Sequence, residues 1–190
     1  MAELPNQRRL WKRFKKGSQD AFSIVYRHFY PSLYFFALKA TGHPEEAREC
    51  VQELFVVLWN SRERLGDVSD VKPYLFTSLR RTIYRHQSRS TDAVGLTDSC
   101  LSLTFSPEDF LIQQEDNAYR QDTLAAVLNR LPARQREAVY LKYYEDLSYQ
   151  QIAKVLQINY QSAVNLVYQA FQNLRQQPTL QRLLVLSKAG

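Results

Sequence analysis

Glycine is scarce in this chain, at 5 of 190 residues, and no segment sustains the apolar–polar alternation of a strand. With 45% hydrophobic residues, that composition excludes global disorder and favours a packed, mostly helical protein of one domain or two small ones. Cysteine is almost absent. Cys50 and Cys100 have no CxxC spacing, and His28, His43 and His86 are scattered, which argues against a disulfide framework or a zinc site. Cys50 lies on an apolar helical stripe and reads as a small buried hydrophobe. No long apolar run follows the basic start MAELPNQRRLWKRFKKGSQD, so it is no signal peptide, and no stretch approaches membrane-spanning length. The expectation is a soluble, cytoplasmic protein without membrane insertion. Phosphate-binding glycine loops, H-E-x-x-H and G-x-S-x-G are also missing, so neither an enzyme nor a cofactor is expected. Glu45 and Glu49 share one helix face. A helical metal enzyme built on them is the remotest reading.

What is present is helical periodicity and positive charge. The net charge is +6 and the isoelectric point about 9.3, which favours a polyanionic partner, nucleic acid before membrane surface. Phe22, Val25, Tyr26 and Phe29 fall at i, i+3, i+4 and i+7, and Leu33, Phe36, Ala37 and Ala40 repeat the pattern after Pro31. Gly42 suits a helix end and Pro44 a helix start. Ala47, Cys50, Val51, Leu54, Phe55 and Leu58 form the next stripe, and another helix runs from about 71 to 86. From 87 to 106 the periodicity fades into a Ser-, Thr- and Asp-rich linker. Order returns near Pro107, and helices are predicted at 133–144, 148–156 and 161–175.

Three of these helices carry functional patterns. On the helix over 71–86, Arg81, Tyr84, Arg85 and Ser88 share a side opposite Leu75, Leu79 and Ile83, with Arg80 beside them. A basic face with one aromatic suits a phosphate backbone and a stacked base. The helix over 45–59 carries Glu45, Glu46, Glu49, Gln52 and Glu53 opposite its stripe, with Phe55 and Trp59 near the edge. An acidic face repels DNA and suits a basic protein surface, with aromatics as anchors. Near the C-terminus, Ser148 caps a short helix, 157–160 make a turn, and Ala163, Val167, Ala170, Phe171 and Leu174 give a longer helix its core stripe. That is the helix-turn-helix pattern, with Gln157 where glycine often sits.

The chain resembles an extracytoplasmic-function (ECF) sigma factor of bacterial RNA polymerase. The resemblance lies in GSQDAFSIVYRHFYPSLYFFALKATGHPEEARECVQELFVVLWNSRERL, in VKPYLFTSLRRTIYRH and in LPARQREAVYLKYYEDLSYQQIAKVLQI, and covers nearly the whole chain. It implies that Glu49, Gln52, Glu53 and Phe55 bind the coiled coil of the largest-subunit clamp. It implies too that the loop over 61–72 and Arg80, Arg81, Tyr84 and Arg85 melt and capture the minus-ten element. The C-terminal domain would bind the minus-thirty-five element as duplex and touch the flap of the second-largest subunit. An anti-sigma factor is a further implied partner. The domains expected are 1–90, a linker over 91–117, a helix-turn-helix domain over 118–178 and a tail over 179–190.

One feature sets this chain apart. No Lys or Arg occurs between Gln157 and Asn173, and the family's usual cations near Val164 and Leu166 are missing. Opposite the core stripe stand Gln161, Asn165, Tyr168, Gln169 and Gln172. Gln and Asn pair bidentately with adenine in the major groove. Charge is expected from Arg134, Arg136, Lys142, Lys154 and Arg175, and a phosphate contact from backbone N–H groups at the helix start. The runner-up reading is a stand-alone helix-turn-helix regulator, which has no need of the acidic helix. A module that only sequesters other proteins is a remaining alternative.

Overall fold

The computed structural model describes residues 6–90, 100–110 and 117–181. Its helices are α1 (Gln7–Lys15), α2 (Gln19–Thr41), α3 (Pro44–Ser61), α4 (Val71–Ser90), α5 (Asn117–Asn129), α6 (Ala133–Tyr143), α7 (Tyr149–Leu156) and α8 (Tyr160–Arg175). Single 3-10 turns occur at Arg62–Arg64 and Pro107–Asp109, and there is no strand among the described residues. The all-α class with a helix-turn-helix is as the sequence indicates. The chain forms two compact units, Met1–Ser99 and Cys100–Gly190.

In the first unit α2, α3 and α4 pack on one another and α1 lies against α2. The stripes on either side of Pro31 belong to one helix of 23 residues. Pro31 is exposed, and its missing N–H costs less than separating the two stripes, which bury Val25, Phe29, Leu33, Phe36 and Ala37 along a single face. α2 ends at Gly42, whose φ of 74° lets its N–H reach Leu38 O at 2.9 Å. Pro44 then opens α3, with Glu45 and Glu46 in the first turn, where the helix dipole favours them. Across the core, Phe36 meets Phe76 edge to face at 5.3 Å. Helix α1 has no counterpart among the helices predicted from periodicity. Its Trp11 and Phe14 are 1% and 2% exposed, and Ser18 caps the following helix by accepting from Ala21 N at 3.3 Å.

The second unit begins earlier than its composition suggests. Within the expected linker, Leu101, Leu103 and Phe105 are buried. Asn129 clamps this segment, accepting from Phe105 N at 2.9 Å and donating to Phe105 O at 2.8 Å. Three apolar residues spaced by polar ones give no helical period, so the sequence alone places the segment in the linker. Residues 91–99 and 111–116 of that expected linker, and 182–190 of the expected tail, lie outside the described residues. α7 starts with a reciprocal cap: Gln151 N donates to Ser148 Oγ at 3.3 Å, and Ser148 N to Gln151 Oε1 at 2.7 Å. It ends at Gln157, in the left-handed conformation at φ 55°, and Ile158 N closes the turn on Ala153 O at 3.0 Å. This tight turn sets α8 against α6 and α7.

Candidate polymerase and promoter surfaces

On α3 the apolar stripe is driven into the core, and the intervening carboxylates must therefore face outward. Glu45, Glu46, Glu49 and Gln52 are exposed, with Arg48 gripping Glu45 at 2.6 Å. Beside them, α2 and α3 leave an apolar groove of about 750 Å³, lined among others by Phe22, Tyr26, Gln52, Val56 and Trp59. Two residues differ from expectation. Phe55 is only 3% exposed: it packs between Phe22 and Tyr26, with ring centroids 5.9 and 4.7 Å away, and lines the floor of this groove. Glu53 is half-buried and turned towards α4. Cys50, beneath this surface, is buried. Its desolvation, reinforced by Glu53, Glu46 and Glu49, pushes the thiol up to about 11.

α4 presents Arg81 and Arg85 to solvent, with Arg80 and Tyr84 half-buried beside them. Arg85 is already engaged. Its Nη2 lies 3.1 Å from Glu53 Oε1 and 3.2 Å from Thr82 Oγ1, while His86 Nε2 lies 2.5 Å from Glu53 Oε2. Two residues assigned by resemblance to different partners are therefore paired with each other. No sequence spacing reveals this, because the pair spans 32 positions.

The loop before α4 is held by residues of α1 that lie outside the predicted site. Trp11 Nε1 donates to Gly66 O at 3.2 Å, Lys15 Nζ meets Asp67 Oδ1 at 2.8 Å, and Gln7 Oε1 accepts from Val71 N at 3.4 Å. The Lys15 ammonium beside Asp67 holds its carboxyl below the usual range. The guanidinium of Arg62 stacks over Trp59 at 4.7 Å and donates to Trp59 O at 2.8 Å. The i, i+3 spacing of Trp11 and Phe14 ahead of Gly17-Ser18 is the signal that was available.

In the second unit, Gln161, Asn165, Tyr168 and Gln169 form one exposed face of α8, with Tyr168 at 61%. Gln161 Nε2 donates to Asn165 Oδ1 at 3.1 Å, which orients both amides. Gln172 is half-buried at a cleft that Tyr143, Tyr168, Phe171 and Arg175 also line. Asn159 caps α8 by accepting from Ser162 N at 2.7 Å. Of the cations expected to supply charge, Lys154 and Arg175 are exposed. Lys142 is drawn inward, donating to Leu147 O at 3.3 Å and lying 5.2 Å from the Tyr149 ring, and Arg136 donates to Ser102 Oγ at 3.0 Å. Arg134 is half-buried. Among the described residues no three His, Cys, Asp or Glu side chains could hold a metal ion, and no helix is long and apolar enough to cross a membrane.

One unit thus carries an acid-faced helix and a basic helix, and the other a capped helix-turn-helix, a two-part helical architecture. Comparison with known proteins identifies the class. Residues 25–92 match sigma-70 region 2 and residues 121–174 match sigma-70 region 4. The chain is 30% identical over 174 residues to the ECF RNA polymerase sigma factor SigL of Mycobacterium tuberculosis, covering 88% of this chain and 95% of that one. It is 24% identical over 178 residues to SigW of Bacillus subtilis, covering 87% and 93%. In fold it is similar to CnrH, solved in complex with the cytosolic domain of CnrY, with a TM-score of 0.61 at 20% identity, covering 88% and 94%. RpoE of Bartonella quintana, solved with the anti-sigma factor NepR, gives 0.57 at 23%, covering 81% and 94%. The chain belongs to the ECF sigma factors of bacterial RNA polymerase. It binds core polymerase and directs promoter recognition and transcription initiation.

Proposed function

We propose that the two faces of the first unit divide the work of a sigma factor. Glu49 and Gln52 on α3 dock on the clamp coiled coil of the polymerase's largest subunit, with Glu53 at the border and Phe55 holding the helix from beneath. Arg80, Arg81, Tyr84 and Arg85, with the loop before α4, engage the minus-ten element. The observation that carries this is the segregation of charge: exposed carboxylates on α3, exposed guanidiniums on α4. Opposite signs suit opposite partners, a basic protein surface and a phosphate backbone.

In the second unit, Gln161, Asn165, Tyr168 and Gln169 read the minus-thirty-five element. Lys154 and Arg175 hold phosphates, Gln172 lies at the border, and the flap of the second-largest subunit is a further contact. The exposed amide face of α8, free of cations, supports reading by neutral groups and a preference for A·T pairs. The protein works in the cytoplasm with polymerase and has no catalytic activity of its own. Because CnrH and RpoE were solved with CnrY and the anti-sigma factor NepR, an anti-sigma partner is proposed here too.

Run-off transcription with core polymerase on genomic fragments tests the whole reading. Transcripts should start at defined sites only when this chain is added. Transcripts that start at the same sites without it refute the reading.

A further inference from the structure

Six of the chain's 25 Lys and Arg residues fall between Arg8 and Lys16, on or just after α1. This helix lies outside the residues matched to sigma-70 region 2, and none of the roles above uses its charge. Its geometry is specific. Trp11 and Phe14 are driven into the first unit, so Arg8, Arg9, Lys12, Arg13 and Lys16 are left exposed on the remaining face. Among the described residues, the one carboxylate seen in an ion pair with an α1 cation is Asp67, on Lys15.

We propose that this face of α1 is a second phosphate-binding surface, which grips the promoter DNA backbone beside the strand held by the loop before α4. The inference rests on the reading of this chain as a promoter-opening sigma factor. Its support is the attachment of α1 to that loop: Trp11 to Gly66, Lys15 to Asp67, Gln7 to Val71, and the Trp11 ring edge-on to Tyr74 at 5.4 Å. Charge on α1 is thus held rigidly against the start of α4 and contributes to the same field. A nine-residue helix rises about 13 Å, roughly four base steps of duplex, so two or three phosphates lie within reach.

Two other polyanionic or charged partners fit less well. An interfacial membrane helix needs a free apolar face to insert, and the apolar face of α1 is already used in packing. The polymerase surface that would complement acidic α3 is basic, and it would repel α1.

The test is the full-length chain with Arg9→Gln, Lys12→Gln and Arg13→Gln together, assembled with core polymerase. Binding is measured across salt on a promoter fragment whose start site was mapped by run-off transcription. The three side chains are exposed, so circular dichroism and core-polymerase affinity should match the parent. The slope of log K against log salt should shrink by about two units, to the same extent on promoters of different sequence. Conserving the charge with Arg9→Lys and Arg13→Lys on an otherwise parental chain should keep the parental slope, since lysine serves as a point charge for phosphate. An unchanged slope in the triple variant overturns the inference. So does a loss of core-polymerase affinity with the slope unchanged, which would make α1 a protein contact, or lost retention on anionic phospholipid vesicles with the slope unchanged. A parent chain that starts no transcript removes the functional reading itself, a result distinct from a deficit confined to the variant.

Discussion

Glu49 and Glu53 sit one helical turn apart on α3, yet reversing their charge should have opposite consequences. Glu49 is exposed and faces outward, so Glu49→Lys changes the docking face and leaves the fold alone. Glu53 lies between Arg85 at 3.1 Å and His86 at 2.5 Å, with side-chain exposures of 29% for Glu53 and 51% for Arg85. A pair this exposed contributes no more than about 1 kcal/mol. Glu53→Lys removes that attraction and sets a like charge against Arg85, so the cost is about 1–2 kcal/mol at low salt. For a unit of this size each kcal/mol moves Tm by roughly 4–8 °C. The assay is thermal unfolding followed by tryptophan fluorescence, because Trp11 and Trp59 both lie in the first unit and report on it alone. Glu53→Lys should melt several degrees below the parent, with the gap narrowing as salt rises. Glu49→Lys should melt with the parent while losing affinity for core polymerase. Equal Tm values for the two variants would refute the argument that Glu53 is held by α4.

Three further outcomes are expected. Asn165→Ala should relax preference at one or two adjacent base pairs at a cost of about 1–3 kcal/mol, whereas Lys154→Ala or Arg175→Ala should weaken all sequences alike; selection from randomised DNA checks both. Gln157→Gly should stabilise the second unit by up to about 1 kcal/mol in denaturant unfolding, because Gln157 holds a left-handed conformation without strain relief from a missing Cβ. Of the two cysteines, Cys100 is exposed while Cys50 is buried with its thiol raised to about 11, so a thiol reagent at neutral pH should modify one cysteine quickly and the second only on unfolding.

The sequence by itself determined the helical class, the stripes of α2, α3 and α4, and the helix-turn-helix with its Ser148 cap. These rest on short-range rules: a period near 3.6, a cap and a breaker, all within one or two turns of chain. It also showed which helix faces are acidic, basic or neutral, since charge on a face follows from spacing alone. Tertiary structure alone decided the rest. Whether Phe55 is a surface anchor or core depends on Phe22 and Tyr26 arriving from α2, and periodicity places a side chain on a face without saying what covers it. Leu101, Leu103 and Phe105 alternate with polar residues in a stretch too short to set a period, and the segment becomes packed chain only because Asn129 and the second unit's core receive it. The Glu53–Arg85 pair and the tethering of α1 to the loop before α4 join positions 32 and more than 50 residues apart, contacts made by the fold and encoded in no local pattern.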